Sequence, residues 1–175
     1  MVKRIAVAWL LASATSAASA PAWLDPARIA ADIQSQGAKV VVDRLWNAPT
    51  ADRARPTRWD VVIDEIWKGE PDWIALAPKL APGTDAGTAE SLGIGLAHAL
   101  PVAPAAVLAA IESTSGDAVG IERVCSAPFI EDTVKDVPAY LRAARKAVQR
   151  VDSPALALAK AQCLTALGKA GDSTR

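Results

Sequence analysis

The side chains with which this chain can do chemistry are few: one histidine, two cysteines and a run of closely spaced carboxylates. His98 lies between Ala97 and Ala99. A general base needs a nucleophile and an orienting carboxylate beside it, and no Gly-x-Ser-x-Gly elbow occurs. His98 therefore reads as a packing or surface residue. Cys125 and Cys163 are the only thiols. With one histidine they do not complete a structural zinc site, so no metal and no cofactor is expected. In an exported chain an even number of cysteines points to a disulfide. Its closure is worth on the order of 3–4 kcal/mol in the chain-entropy model, the alternative being two buried free thiols. Asp60, Asp64 and Glu65 fall in one segment, Glu70 and Asp72 in the next. Paired carboxylates serve glycoside hydrolysis, but i,i+4 spacing describes a solvated helical face equally well. Trp59, Trp67 and Trp73 can be read as a sugar-stacking platform. Their helical spacing with Ile63 and Ile66 favours the core instead.

Charge is balanced overall, with 19 Lys+Arg against 19 Asp+Glu, but unevenly placed. Residues 59–134 hold 12 acids and 3 bases, whereas residues 135–175 hold 8 bases and 3 acids. This balance gives no reason to bind nucleic acid. Two readings of the asymmetry stand. The halves attract each other across the fold, or an acidic surface receives a basic partner.

The first residues follow the order of a secretory signal peptide. Lys3 and Arg4 precede the apolar run Ile5–Ala12, and only small residues follow to Ala20. The run is shorter than the roughly 20 residues of a membrane span. Residues 1–20 are therefore expected to be a signal peptide cleaved after Ala18 or Ala20, and 21–175 a single domain. After cleavage no stable membrane insertion is expected, and the compartment is periplasmic or secreted.

Alanine and leucine dominate the rest, with few Thr, Tyr and Phe, a composition that favours helix over sheet. Asp25-Pro26 opens a helix to Gln36 that ends at Gly37, and a second spans Ala38–Asn47. Thr57 to Asp60 resembles a capping box. Trp59, Val62, Ile63, Ile66 and Trp67 then form one helical stripe, stopped at Gly69. Pro71 opens the next helix, whose end Pro78 bends. Thr84 or Asp85 caps a helix to Leu100, in which Ala89, Gly93 and Ala97 allow a neighbour to approach closely. Helices over Pro104–Ile111, after Asp117, over Asp136–Val151 and from Ser153 to Gly168 complete the chain. The expectation is an all-α domain of about nine short antiparallel helices, a HEAT-like array or a compact bundle. Val40–Val42 and Val61–Ile63 can alternatively pair as two strands.

Two resemblances follow from these residues. Ile66-Trp67-Lys68-Gly69-Glu70-Pro71-Asp72-Trp73-Ile74-Ala75-Leu76-Ala77, with Thr84-Asp85-Ala86, Glu90-Ser91-Leu92 and Val107-Leu108, resembles a group of small exported helical proteins of Gram-negative bacteria. The resemblance implies a helical fold and export, and no activity. Ala110-Ile111-Glu112-Ser113, Gly116 and Val119-Gly120-Ile121 are similar to the Glu-Ser signature of lytic transglycosylases, which implies Glu112 as acid/base. The aromatic residue after Glu-Ser is missing, the spacing to the second glycine is short, and no Met-Gln follows Ile121. The functional expectation is a non-enzymatic periplasmic binding or adaptor protein, immunity-like in kind. It would hold a basic protein partner through Asp60, Asp64, Glu65, Glu70 and Asp72. The alternative is a small cell-wall hydrolase centred on Glu112.

Overall fold

Prolines and small polar side chains set where most of the helices begin. The computed structural model describes residues 21–48, 56–111, 118–129 and 133–173. The expected signal segment 1–20, Glu112 and the expected cap Asp117 lie outside them. Helix α1, Pro26–Gln36, starts where the Asp25 carboxylate accepts from the Ala27 amide, and ends at Gly37 with φ +87°. Helix α2 covers Ala38–Asn47 and buries Val41, Val42 and Leu45. Helix α3, Arg58–Trp67, has both bonds of its capping box. The Asp60 amide donates to the Thr57 hydroxyl, and the Thr57 amide donates to Asp60 Oδ2 at 2.7 Å. Both β-branched runs thus lie in helices, and no described residue belongs to a strand. Their apolar residues recur at helical spacing, which buries one face of each helix, and this outweighs the β preference of valine.

Beyond α3 the helical architecture is as expected except in detail. A single helix from Pro71 is replaced by α4, Pro71–Ile74, and α5, Ala77–Leu80. Pro78 has no N–H for a bond to the carbonyl of Ile74, and its ring clashes with that carbonyl, so α4 ends there. A 3-10 turn, Ala81–Gly83, leads to α6, Ala86–Ala99, capped by reciprocal bonds between Asp85 and Thr88. Helices α7, Pro104–Ala110, α8, Ile121–Cys125, and α9, Val137–Gln149, follow. A 3-10 turn at Pro154–Leu156 precedes α10, Ala157–Ser173. Helix α10 runs past Gly168, the expected stop. Leu167 is buried, and Leu164 and Ala170 pack against the core on either side of it. Packing of this kind outweighs the roughly 1 kcal/mol that glycine costs in a helix.

A linear array keeps contacts between neighbours in sequence. Here one apolar core runs from Ile29 in α1 to Leu167 in α10. Helix α3 lies across α6 because Gly95 has no side chain; a Cβ there would stand 3.1 Å from Ile63 Cγ2. Gly93 likewise admits the aliphatic stem of Arg123 from α8. The Tyr140 hydroxyl of α9 donates to the Ala97 carbonyl of α6 at 2.8 Å. Cys125 of α8 is bonded to Cys163 of α10, both fully buried, with Cα atoms 5.3 Å apart. The second half of the chain is thereby tied to α6 and the first.

Candidate interaction surface

Trp67 is the last residue of α3, eight positions after Trp59. Eight residues turn a helix about 80° past two full turns, which carries Trp67 to the edge of the buried stripe. Trp59 and Trp73 are buried in the core, but Trp67 keeps 38% of its surface exposed. Its inner face covers His98 of α6, with ring centroids 3.3 Å apart and planes 9° from parallel. His98 then meets Phe129 at 4.7 Å, and Phe129 meets Tyr140 edge-on at 4.6 Å. The four rings form a ladder from the surface to the core.

His98 is the packing residue that its sequence context suggested. Nε2 is buried and has no hydrogen-bond partner among the described residues. Burial pushes the imidazole pKa down to about 4, so the ring is neutral at physiological pH. Burial likewise pushes the Tyr140 phenol up.

Immediately after α3, Gly69 adopts φ +87° and lies against Val102, the residue that follows α6 and Pro101. A Cβ on Gly69 would stand 2.9 Å from Val102 Cγ1. This contact brings the α3–α4 turn and the α6–α7 turn to one end of the molecule. Val102 is 66% exposed there. Trp67 and Val102 thus place two large exposed apolar side chains around one turn.

The five carboxylates named from sequence take different places. Asp60 is half-buried and engaged in the capping box, where its Oδ2 also accepts from the Thr57 hydroxyl at 2.9 Å. Glu65 accepts from Lys68 Nζ at 2.7 Å. Asp64 is exposed. Its carboxyl is raised above the ordinary value, first by partial loss of water; Lys68 opposes this, and the charges of Asp60 and Glu65 add to it. Glu70 precedes α4 without making a side-chain cap, and Asp72 lies exposed in its first turn. The ammonium of Lys68 is held up by its bond to Glu65 and by the nearby charges of Glu65, Asp64 and Glu70. Those three acids therefore surround Lys68, the residue after Trp67. Glu112 lies outside the described residues. Sequence reasoning missed the exposure of Trp67 and its stack on His98. The available signal was its position at the stripe's edge, directly before the helix-ending Lys68-Gly69.

No ion pair between two described residues joins segment 59–134 to segment 135–175. No helix among the described residues is long and apolar enough to cross a membrane. Comparison with known proteins gives no match to a protein-family model, to a curated protein or to a solved structure.

Proposed function

We propose that this chain is an exported, non-enzymatic binding protein that holds a basic protein partner at the end marked by Trp67 and Val102. The observation that carries this reading is Trp67: a half-exposed indole, fixed from behind by His98, with carboxylates at its side. Trp is enriched among the few residues that carry most of an interface's energy. An aromatic side chain already held in place loses little freedom on binding. Asp64, Glu70 and Asp72 supply a negative rim that speeds encounter with a cationic surface and disfavours an acidic one. Export is supported by the order of residues 1–20 and by the buried disulfide, since such bonds persist in oxidising compartments. A protein that neutralises a delivered toxin is one member of this class.

The test is a pull-down from periplasmic extract with wild type, Trp67→Ala and the double reversal Glu70→Lys/Asp72→Lys. The expected partner is a basic protein that wild type retains, both variants lose, and rising salt releases. Capture that survives both variants and is insensitive to salt would overturn the reading. Intact mass and cell fractionation test export: a full-length chain found only in the cytosol would refute it.

A further inference from the structure

The opposite charge of the chain gathers on α9, and a groove lies beside it. Arg142, Arg145 and Lys146 stand at i, i+3 and i+4, so they share one helical face. Helix α9 contains no acidic residue to neutralise them. With Pro138, Leu141, Gln149, Gly171 and Asp172 they line a cavity of about 360 Å³ between α9 and α10. That volume lies in the range of small-molecule sites, roughly 300–1,000 Å³.

Arg145 is the fixed element of this groove. Its Nη2 donates to the Leu167 carbonyl of α10 at 3.0 Å. The guanidinium passes Gly171, where a Cβ would stand in ordinary contact at 3.5 Å from Nη2. Its Nε is buried and finds no acceptor among the described residues. A guanidinium has five N–H donors and no acceptor, so the guanidinium groups that line the groove favour a ligand with acceptor oxygens. Asp172, the only carboxylate among the described residues that line the groove, forms no ion pair with another described residue. Among the described lining residues three cations against one anion leave an excess of two positive charges, and Leu141 and Pro138 add an apolar wall.

We infer that the α9–α10 groove binds a small oxyanion ligand carrying two negative charges, held by Arg142, Arg145 and Lys146. Guanidinium forks match phosphoryl and carboxylate oxygens in geometry. A dianion engages more than one of the three cations. This ligand site is separate from the Trp67 surface and does not depend on it.

The protein is titrated with pyrophosphate, with glutarate, and with vesicles containing cardiolipin, whose headgroup carries two phosphodiesters, at constant ionic strength. Amide and Arg side-chain NMR shifts are followed, with cosedimentation for the vesicles. Saturable binding of either soluble probe, with shifts confined to α9 and the end of α10, supports the site and assigns it to a free ligand. Binding to vesicles alone supports the same oxyanion chemistry drawn from a lipid headgroup. Arg142→Gln/Lys146→Gln, both exposed positions, should weaken the bound probe at least tenfold and leave the circular dichroism unchanged. Absence of binding by all three probes overturns the inference. So does binding that the double variant leaves intact, or that sodium chloride removes without residue-specific shifts.

Discussion

Trp67 and His98 stack face to face across the junction of α3 and α6, with ring centroids 3.3 Å apart. The indole closes the histidine from water, and the histidine fixes the indole. In the unfolded chain this imidazole titrates near about 6.5; in the fold burial holds it down to about 4. Between these values the unfolded chain binds the extra proton. Stability from this group is therefore complete above about 6.5 and is lost as pH falls towards about 4. Thermal melts of wild type and His98→Phe at neutral pH and at about pH 4.5 isolate the effect, because the carboxylates titrate in both. The wild type should lose more melting temperature on acidification than the variant. Equal losses would refute the role of His98.

The disulfide should be both protected and important. Cys125 and Cys163 are fully buried and sit 38 residues apart in sequence. Loop closure of that length contributes on the order of 3–4 kcal/mol, and loss of native disulfides commonly costs about 2–5. Neither thiol should react with iodoacetamide in the native protein before reduction. Cys125→Ala/Cys163→Ala should lower the urea midpoint and steepen the transition, because the unfolded chain without the cross-link exposes more surface.

Carboxylates of the acidic segment should separate by role. Asp60→Ala removes the acceptor from the Thr57 amide and leaves α3 with half a capping box. The expected loss is about 1 kcal/mol. Asp72→Ala touches no cap and should stay within about 0.5 kcal/mol of wild type. Urea denaturation of the two variants checks the contrast. Similar losses for both would mean that the capping bonds do not set the stability of α3.

Glycine replacements should differ in sign. A Cβ at Gly83 would collide with the backbone of Ala38 and Lys39, where the 3-10 turn rests on the start of α2. Backbone cannot move aside as a flexible side chain can, so Gly83→Ala should cost about 1–3 kcal/mol or more. A Cβ at Gly87, in the first turn of α6, meets nothing within 4 Å. Gly87→Ala should stabilise by about 0.5–1 kcal/mol, because alanine restricts the unfolded chain and prefers helix. Chemical denaturation of both variants reads the two effects.

Much of the helical architecture follows from local chemistry. Asp25-Pro26, Thr57 with Asp60, Asp85 and Asp136 each mark a helix start, because capping depends only on residues within one turn. The buried stripe of α3 is equally local, since helical period alone puts Trp59, Val62, Ile63 and Ile66 on one face. The pairing of Cys125 with Cys163 was legible because only two cysteines exist. What spacing along the chain does not carry is which faces meet. Gly168 resembles a helix stop, yet α10 continues through it on the strength of its packing. Asp60 and Asp64 look like equal members of an acidic face, but one turns back into a cap while the other stays in water. Trp67 looks like a core residue, and only the arrival of His98 from α6 decides that one face is covered and the rest exposed. The groove on α9 needs α10 alongside it before three basic residues become a lined cavity. The sequence by itself determined most helix starts, their caps and the cross-link. The tertiary structure alone decided the surfaces, because burial depends on contacts between residues far apart in the chain.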